Sequence, residues 1–541
     1  MHHDEKPQTE LFWADQFAKQ ILSRDKFYYV DHKIRKFDEY VVKTSASLSG
    51  VLHIGRLSDT IRGESVVLAL KDLGVKPKFI WVAENMDPLR KIPKGVPANF
   101  EKYLGVPVTD IPDPKGCHSS YADHHMEEYF KVIDEFVVTK MEKFSMREEY
   151  KKGHFTKYIK KILEKVDDVK EIQNRYRTNP LRKTWSPWTP ICEKCGKIVT
   201  PQITNVKDGI VEYTCADYEF ETTLATGCGH KGHNDPVKGN GKLLWKSEWA
   251  AQWARWEVVS EGAGKEYQVP NSAFWINGEI VERVLEFPMP VPIFYEHIMI
   301  DNEKMSASVG NVVYPKDWLE VASPELLRLF YNKRLMTTRS FSWKDLPNLY
   351  DEYDKVSRVH SGEITFDNKK EESHYKRLYD LSHGSGAYKP LEMSFAHASV
   401  IAQIFTDEED AIKSLEKTGH YNKSMHDAIF DRLHKAKIWL KKYAPEEAKF
   451  TIQKEIPKNI VLDEKEKEIL KRIAKLMHEN DYNEKSLFEE FYNQSNAIGM
   501  KPQDFFKAAY KVLLDKERGP KLAPFILMLG KEKVAKLFEK A

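Results

Sequence analysis

A strand-like segment that breaks into small residues and then opens a helix constrains the fold of this chain most. The run Tyr-Val-Val-Lys-Thr at residues 40–44 favours a β-strand, and small residues fill most of positions 45–50. Apolar side chains then recur at helical spacing from Leu57 to Leu70, which predicts a helix. The start of such a helix offers free N–H groups and a positive dipole end, which suit nucleotide phosphates. This order predicts a parallel, nucleotide-binding sheet of the α/β class.

Two short strings at loops of such a sheet carry groups suited to a triphosphate. His-Ile-Gly-Arg occupies residues 53–56, and Lys-Met-Ser-Ala-Ser occupies residues 304–308. His53 can donate hydrogen bonds to phosphate oxygens, Gly55 allows a close approach to the backbone, and Lys304 supplies a mobile ammonium. Either string alone could be a chance sequence or an exposed turn. Their occurrence in this order indicates cleavage of ATP at its α-phosphate by positioning and charge stabilisation.

A cysteine-rich stretch predicts a small zinc module. The string Cys-Glu-Lys-Cys-Gly at residues 192–196 is typical of a turn that holds Zn²⁺ with two thiolates. Four cysteines form the predicted ligand set: Cys192, Cys195, Cys215 and Cys228. His230 and His233 are alternatives to Cys215, and thiols without metal or a redox pair are alternatives to zinc. The zinc would be structural, and the fifth cysteine, Cys117, is given no chemical task.

The composition is that of a globular protein with several cores. The 541 residues are 41% hydrophobic, and the length suggests roughly three or four domains. No apolar run approaches the ~18 residues of a membrane span, and Met1 to Glu10 contain no apolar targeting core. Five cysteines in so long a chain fit a reducing compartment. We therefore expect a cytoplasmic protein without a membrane partner.

The charge balance gives no overall electrostatic reason for a polyanionic partner, because the formal net charge is only +2. RNA binding can nevertheless rely on local basic patches. The lysine-rich run from Lys435 to Lys442 could form such a patch, or it could be an ordinary solvated helix face.

The order of these features predicts an α/β protein in five parts. Residues 1–140 would form the first half of a Rossmann-like catalytic sheet, and residues 241–300 would complete it. Residues 141–240 form an insertion with the zinc module, and residues 301–345 carry the lysine loop and a linking fold. β-type patterns nearly vanish over residues 346–541, where helical periodicity predicts an all-α domain. The oligomeric state does not follow from the sequence.

Longer stretches of the sequence resemble the class I lysyl-tRNA synthetases, a family of the class I aminoacyl-tRNA synthetases. Beyond the two strings, the resemblance rests on residues 87–93, 111–118 and 241–245, and near the C-terminus on residues 501–510 and 517–525. It implies attachment of lysine to tRNA(Lys) through lysyl-adenylate, with ATP, Mg²⁺ and release of AMP and pyrophosphate. It also implies that the helical domain binds the anticodon.

The resemblance implies roles for individual residues. The catalytic residues would be His53 at the α-phosphate, Lys304 at the β- and γ-phosphates, and Ser306 in the same loop. The ATP-binding set comes from both strings and from the loop before the first: Ser49, Gly50, His53, Gly55, Arg56, Lys304, Met305, Ser306 and Ser308. Arg56 stands where Asn or His is more usual, and its longer cation is expected to contact phosphate or ribose.

Amino-acid selection is expected from positions that match a lysine pocket: Ser45, Ser47, Glu84, Trp245, Glu266, Tyr267 and Tyr295. A lysine side chain needs an apolar trough for its methylene stem and an anionic partner for its buried ammonium. Glu84 and Glu266 are the candidate partners, and each could instead be a surface carboxylate or one paired within the protein.

The pocket departs from the family pattern in two places. Residues 45–50 replace the family's Gly-Ile-Thr-Pro-Ser-Gly, and Gly-Lys-Glu-Tyr at residues 264–267 replaces Gly-Lys-Asp-His. Three alternatives therefore stay open: another class I specificity, a related nucleotidyltransferase that acts without tRNA, and a non-catalytic tRNA-binding paralogue. The long helical domain argues against the second, and intact His53 and Lys304 argue against the third.

Overall fold

The computed structural model describes residues 11–47, 53–93, 96–305, 311–383 and 390–541. The described residues form two compact units. The first is drawn from Met1–Leu319, Ser323–Phe341 and Val359–Tyr388, and the second from Glu320–Ala322, Ser342–Arg358 and Lys389–Ala541. No helix within the described ranges has the length and apolar character needed to cross a membrane.

Strands occur only in the first unit among the residues that the structure describes, whereas helices occur in both. The strands are β1 (Tyr40–Ser47), β2 (Pro77–Glu84), β3 (Glu142–Ser145), β4 (Trp188–Pro190), β5 (Pro201–Lys207), β6 (Ile210–Cys215), β7 (Tyr218–Glu219), β8 (Leu224–Ala225), β9 (Lys231–Asn234), β10 (Gly241–Leu243), β11 (Val258–Gly264), β12 (Val291–Tyr295), β13 (Ile298–Ile300), β14 (Glu303–Lys304) and β15 (Arg339–Phe341).

The α-helices follow the same order along the chain: α1 (Trp13–Ser23), α2 (Ile54–Asp72), α3 (Tyr121–Phe136), α4 (Met146–Lys151), α5 (Thr156–Glu164), α6 (Val166–Asn174), α7 (Trp245–Trp256), α8 (Ala273–Arg283), α9 (Pro315–Val321), α10 (Pro324–Asn332), α11 (Leu346–Ser361), α12 (Lys369–His383), α13 (Phe395–Ile404), α14 (Glu408–Lys417), α15 (His426–Lys442), α16 (Glu464–Glu479), α17 (Glu484–Ala497), α18 (Pro502–Leu514), α19 (Leu522–Leu529) and α20 (Lys531–Glu539). Short 3-10 helices lie at Ala98–Tyr103, Val108–Asp110, Pro236–Lys238, Lys265–Tyr267, Trp343–Asp345, Lys423–Met425 and Glu446–Ala448.

A five-stranded parallel sheet forms the centre of the first unit. Its order is β12-β11-β1-β2-β3, and all neighbouring strands run parallel. Strand β1 therefore pairs on one side with β2, the next strand of the chain, and on the other with the distant β11. The sheet begun by N-terminal residues is completed by residues 241–300. This confirms the predicted α/β fold class.

Helix α2 begins at Ile54, directly after His53, as the sequence predicts. It packs closely on β1 because Gly63 has no side chain: a Cβ there would lie 2.6 Å from Cγ2 of Thr44. The apolar run at residues 79–82 forms the buried middle of β2. A strand covered on both faces has this near-continuous apolar sequence, so the sheet carries structure on both sides.

A buried ion pair joins β1 to β11. The strand register sets Lys43 beside Glu261, and the Lys43 ammonium donates to Oε1 of Glu261 at 2.6 Å. Lys43 is 0% exposed and Glu261 is 1% exposed. Oε2 of Glu261 accepts from the indole N–H groups of Trp249 at 3.0 Å and Trp253 at 2.5 Å. Both carboxylate oxygens are thus satisfied, which offsets the cost of burying the charges.

Within the first unit, the cysteine-rich module begins and ends at one antiparallel strand pair, β4 with β10. Between them lie an antiparallel sheet of β5, β6 and β9 and the β7–β8 hairpin. Its own buried cluster contains Tyr213 with Cys192 and Cys215. So small a cluster supplies little hydrophobic stabilisation, and modules of this kind usually need a metal or a disulfide.

The second unit is helical throughout residues 390–541 as far as the structure describes them, which confirms the prediction for this part of the chain. Helices α16 to α20 surround one core that includes Ile473, Phe491, Phe505 and Phe525. Helix α16 starts with a capping box, in which Asp463 and Glu466 each accept the other's backbone N–H. Such a box satisfies two amides that the helix itself leaves unpaired.

Replacing Lys43 with methionine leaves the Glu261 carboxylate buried without its counter-ion. We expect Lys43→Met to lower the free energy of unfolding by about 3 kcal/mol or more, because removing one partner of a buried pair strands the other charge. Urea denaturation followed by tryptophan fluorescence measures the change. The double variant Lys43→Met/Glu261→Gln removes both charges and should recover part of the loss. A Lys43→Met variant as stable as the wild type would contradict the importance of this ion pair.

Candidate active site

A cavity of about 790 Å³ opens at the carboxyl ends of β1, β2, β11 and β12, the edge at which open parallel sheets bind ligands. It brings together every predicted nucleotide or amino-acid residue within the described ranges: Ser45, Ser47, His53, Gly55, Arg56, Glu84, Trp245, Glu266, Tyr267, Tyr295, Lys304 and Met305. Four further predicted residues lie outside the described ranges: Ser49, Gly50, Ser306 and Ser308.

The two predicted phosphate-binding strings meet at this cavity. A Cβ built on Gly55 would lie 2.7 Å from Cε of Met305, so the missing side chain leaves room for the second string. The amide of Ile54 donates to the carbonyl of Val313 at 2.9 Å, which ties the segment after that string to the start of α2. Lys304, at the end of β14, lines the same cavity.

His53 sits at the start of α2 with extended backbone angles and does not cap the helix with its side chain. Its Nδ1 is buried and has no hydrogen-bond partner among the described residues. Burial and the neighbouring Arg56 cation lower the pKa of His53 to about 4. The ring is therefore neutral at pH 7, and a neutral imidazole at a helix start can still donate one N–H to an anion.

A chain of polar contacts fixes the end of β1. Arg56 donates from Nη1 to the carbonyl of Ser47 at 2.6 Å, and the Ser47 hydroxyl donates to Oδ2 of Asp87 at 2.6 Å. Oδ1 of Asp87 lies 3.9 Å from the Lys242 ammonium, which lies 3.0 Å from Glu248. Arg56 is thereby anchored to the strand that leads into the predicted ATP loop.

Aromatic rings form one wall of the cavity. Trp245 stacks on Trp249 with ring centroids 4.7 Å apart, and Tyr267 meets Trp249 edge-on at 5.3 Å. Tyr295 lines the cavity from the end of β12. Burial and the adjacent Asp59 raise the pKa of Tyr295, so this phenol stays neutral. Such rings can cover an apolar hydrocarbon stem.

Glu84 lies on the cavity wall at the end of β2. Its two oxygens accept from Nε2 of Gln252 at 3.0 and 3.2 Å, and Oε1 lies 4.0 Å from the Lys43 ammonium. Burial raises the pKa of Glu84 to about 8 against the opposing effect of Lys43. Because Lys43 is already bonded to Glu261 at 2.6 Å, Glu84 has only a distant share of that charge.

Asp59 is a cavity carboxylate that the sequence analysis missed. Its Oδ2 accepts from the Ser45 amide at 3.3 Å, whereas its buried Oδ1 has no hydrogen-bond partner within the described chain. A Cβ on the facing Gly262 would lie 2.0 Å from Oδ1, so glycine is required there. Burial, reinforced by Glu261, raises the pKa of Asp59 to about 7. Its position one turn after Gly55, on the same helix face, was the available signal.

Glu266 is less suited to bind a buried cation. Its side chain is 54% exposed, and its Oε2 already lies 2.9 Å from Nε2 of His297. Exposed ion pairs are screened by water and contribute little. Glu266 therefore shapes the rim of the cavity, whereas Asp59 and Glu84 lie inside it.

Other charged residues of the cavity wall were also missed, among them Asp87, Arg90 and Lys242. They belong to residues 87–93 and 241–245, the stretches that carried the family resemblance. The family resemblance was therefore the feature that could have pointed to these residues, because the charge of a side chain does not show whether it faces a cavity.

The structure brings the four predicted cysteines together, with all four sulfurs within 4.8 Å of one another. The sulfurs of Cys192 and Cys228 are 3.7 Å apart, and those of Cys195 and Cys215 are 3.6 Å apart. Thiolates held at ~2.3 Å around a tetrahedral zinc are spaced by about 3.8 Å. The residues present therefore fit a zinc ion.

The two alternative histidines lie outside this sulfur cluster. Nε2 of His230 pairs with Glu193 at 2.7 Å, and Nε2 of His233 lies 3.8 Å from Glu212. Cys215 is therefore the fourth member of the cluster in space.

A second set of possible metal ligands lies at residues 113–124: Asp113, Cys117, His118 and His124, all within 4.8 Å of one another. Sγ of Cys117 is 3.1 Å from Oδ2 of Asp113, 3.1 Å from Nδ1 of His118 and 3.2 Å from Nδ1 of His124. This mixture of oxygen, sulfur and nitrogen donors can also bind zinc. This set was not predicted from the sequence, where Cys117 was given no chemical task.

A parallel sheet in which a helix-start histidine and a loop lysine face one cavity is the arrangement of class I aminoacyl-tRNA synthetases. Within this class, a match to a family model identifies the family. The chain belongs to the family described as tRNA synthetases class I (K), whose model matches residues 11–385. The letter K is the one-letter code for lysine.

Relatives in archaea match nearly the whole chain. The lysine–tRNA ligase of Methanosphaera stadtmanae is 30% identical over 97% of this chain and 98% of its own length. That of Methanocaldococcus jannaschii is 31% identical over 98% and 99%, and that of Thermococcus kodakarensis is 32% identical over 97% and 99%. The likeness therefore extends into the helical unit beyond residue 385.

Asp59 should make the ligand-free protein less stable as the pH rises. Its folded pKa of about 7 exceeds the unfolded value of about 4, so the folded state binds more protons between these values and loses stability as the pH rises through about 7. Asp59→Asn lacks this effect. When the pH rises from 5 to 8, we therefore expect its free energy of unfolding to increase relative to that of the wild type by at least about 1 kcal/mol.

Urea denaturation at the two pH values measures this gain. The matched control is Asp167→Asn, which alters a side chain that is 92% exposed and should leave the pH dependence unchanged. A difference between Asp59→Asn and the wild type that stays constant with pH would contradict the raised pKa.

Proposed function

We propose that this chain is a lysine–tRNA ligase, which attaches lysine to tRNA(Lys) through lysyl-adenylate. Membership of the class I synthetase family implies the use of ATP. The proposal for lysine is carried by the cavity floor, where Asp59 is buried, Glu84 is partly buried, and the nearby Lys43 ammonium is already bonded to Glu261. The lysine–tRNA ligases of the archaeal relatives support the same amino acid.

The cavity suits lysine in two parts. Trp245, Tyr267 and Tyr295 would cover the methylene stem, which loses little by leaving water. We assign the ammonium to the unpartnered Oδ1 of Asp59, with Glu84 as a second negative group. A cation close to a carboxyl group favours its ionised form. The bound lysine would therefore restore the negative charge of Asp59, which burial suppresses.

The nucleotide would lie at the opposite part of the cavity. We assign the α-phosphate to His53 and the start of α2, with Gly55 allowing the close approach, and the β- and γ-phosphates to Lys304. Met305 and Arg56 would flank the nucleotide, and Ser49, Gly50, Ser306 and Ser308 complete this set by family resemblance. Mg²⁺ would accompany ATP and neutralise part of its charge.

The chemistry then needs no covalent enzyme intermediate. An oxygen of the lysine carboxylate bonds to the α-phosphorus while the bond to pyrophosphate breaks. The 2′-hydroxyl of the terminal adenosine of tRNA next attacks the carbonyl carbon, and AMP leaves. His53 and Lys304 act by positioning and charge stabilisation.

We place the enzyme in the cytoplasm and propose that its helical unit binds the anticodon. The limits of the five predicted parts of the chain remain predictions.

We also propose zinc at both clusters described above. The four-cysteine set would stabilise the small inserted module, whose apolar core is too limited to do so alone. Elemental analysis of the purified protein by mass spectrometry should find about two zinc ions per chain. Cys215→Ser and Cys117→Ser should each lose about one ion, whereas the control His230→Ser should lose none. Loss of zinc in His230→Ser but not in Cys215→Ser would reverse the assignment of the fourth ligand.

Aminoacylation of total tRNA with each amino acid in turn tests the function. We expect charging with lysine alone, and we expect Lys304→Ala to bind tRNA normally but to lose at least about a hundredfold in kcat, the usual effect of removing one transition-state contact. Charging with a different amino acid would overturn the specificity. A wild-type protein that charges nothing would indicate a non-catalytic paralogue, and one that charges nothing but joins AMP to a small acid without tRNA would indicate a nucleotidyltransferase.

Two substitutions in the same assay examine the assignment of the lysine ammonium. Asp59→Asn should raise the KM for lysine by more than about tenfold and leave the KM for ATP unchanged, because it removes a buried charge partner. Glu266→Gln alters an exposed rim carboxylate and serves as the control, with little change in either KM. A raised KM for lysine in Glu266→Gln but not in Asp59→Asn would instead place the lysine ammonium at the rim of the cavity.

A further inference from the structure

Arg62 is a cation in the interior of the first unit to which the reaction described above gives no task. It lies in the middle of α2, one turn after Asp59, and is 1% exposed. Burial lowers its pKa to about 10, so the guanidinium is charged at pH 7. A buried charge is costly unless specific interactions offset the cost, and the contacts of Arg62 lead to two parts of the candidate active site.

The guanidinium lies behind the cavity wall, against two tyrosine rings. Its central carbon is 4.7 Å from the ring centroid of Tyr295 and 5.4 Å from that of Tyr331. Nη1 donates to the hydroxyl of Ser58, and Nε donates to the carbonyl of Tyr331 at 3.3 Å. Ser58 and Tyr295 line the cavity, whereas Arg62 does not. Arg62 therefore contacts wall residues without facing a substrate itself.

The ring of Tyr295 borders the place assigned to the lysine ammonium. A Cβ built on Gly262 would lie 2.0 Å from Oδ1 of Asp59 and 3.3 Å from Cε1 of Tyr295, so both groups face the same glycine. Arg62 forms no ion pair with Asp59 in the part of the chain that the structure describes. Its guanidinium is occupied by the two rings and by the Ser58 hydroxyl, which leaves Oδ1 of Asp59 free for a substrate cation.

The second ring connects Arg62 to the phosphate-binding part of the site. The hydroxyl of Tyr331 donates to the carbonyl of Ile54 at 2.8 Å, and Ile54 is the first residue of α2, directly after His53. Tyr331 is 0% exposed, so this hydrogen bond lies in a medium of low dielectric, where it is strengthened. One buried cation thus contacts a ring of the lysine pocket and a ring that holds the helix start assigned to the α-phosphate.

We propose that Arg62 is a positioning residue for the attachment of lysine, which holds the Tyr295 ring beside Asp59 and links this ring, through Tyr331, to the start of α2. The inference rests on the proposed function, which supplies the lysine substrate. A ring already fixed against a cation loses little freedom when the substrate binds. The two reacting groups stay aligned because both parts of the site share one support.

A buried arginine could instead serve only to pack α2 against α10. Other contacts already join these two helices: the Ser65 hydroxyl donates to Oδ1 of Asn332 at 2.7 Å, and Arg328 lies 3.6 Å from Glu64. None of these four residues lines the cavity. A packing role for Arg62 would affect folding stability, but it would not separate the binding of lysine from the binding of ATP.

Aminoacylation kinetics of the full-length protein test this role. Arg62→Gln should raise the KM for lysine by about tenfold, because the Tyr295 ring loses the cation that holds it, and should leave the KM for ATP unchanged. Arg62→Lys keeps the charge without the planar group and should raise the KM for lysine by only about threefold. The control Lys71→Gln removes an exposed cation from the last turn of the same helix and should change neither KM.

Tyr331→Phe examines the link to the helix start. It keeps the ring against Arg62 but loses the hydrogen bond to Ile54, so kcat should fall by about fivefold, while the KM for lysine stays at the wild-type value. An Arg62→Gln variant whose two KM values are unchanged, or rise by the same factor, would overturn the proposal. If Arg62→Gln does not fold, the two KM values of Arg62→Lys decide in the same way.

Crystal structures without substrates separate this inference from the proposed function. Arg62→Gln should show the Tyr295 ring turned away from Asp59, and Arg62→Lys should show the ring close to its wild-type place. An unmoved Tyr295 ring in Arg62→Gln would overturn the role of Arg62 even if the wild type charges lysine. Charging of a different amino acid by the wild type, with the ring displaced in Arg62→Gln, would overturn the proposed function alone.

Discussion

The candidate active site depends on the parallel pairing of β1 with β11. This pairing places the end of β1 beside the glycine-rich end of β11, and Asp59 of α2 faces Gly262 of β11. It also creates the Lys43–Glu261 ion pair beneath the cavity. The same contact thus holds two distant parts of the chain together and sets the charge balance of the cavity floor, since it occupies the cation that would otherwise neutralise Glu84.

Much of the fold could be predicted because it follows from local patterns. The start of α2 after His53, the buried strand at residues 79–82 and the helical second unit are all set by periodicity along the chain. The cysteine cluster was predictable because a turn such as that at residues 192–196 brings two thiolates together by itself. The motif strings near His53 and Lys304 line one cavity, although their meeting depends on the tertiary fold.

The residues that were missed depend on contacts between distant segments. Asp59 is one of several polar residues of α2, and only the fold shows that Gly262 of another strand faces it. The cluster around Cys117 mixes three ligand types, so no repeated spacing marks it in the sequence. Likewise, the sequence could not show that Lys435 pairs with Asp431 and Lys442 with Glu320, because ion pairing depends on how side chains are placed in the folded protein.

Several features of the cavity lower the stability of the protein and suit a function. Asp59 is buried and Glu84 is partly buried, both with raised pKa values, and Nδ1 of His53 is buried without a partner in the described chain. A sequence selected for stability alone would replace such groups with apolar side chains. Their presence at one edge of the sheet, next to a structurally complete core, indicates that the unsatisfied polarity is reserved for ligands.

The order of strands in the sheet has a consequence for the newly made chain. At ~5–20 residues per second, the stretch from Ser47 to Val258 takes on the order of 10 to 40 s to synthesise. Throughout this interval one hydrogen-bonding edge of β1 lacks its neighbour, and Lys43 stays hydrated. The inserted module is made in the same interval and can fold first. Completion of the nucleotide-binding unit is therefore a late event on the ribosome, and until then the open edge can pair with other nascent chains.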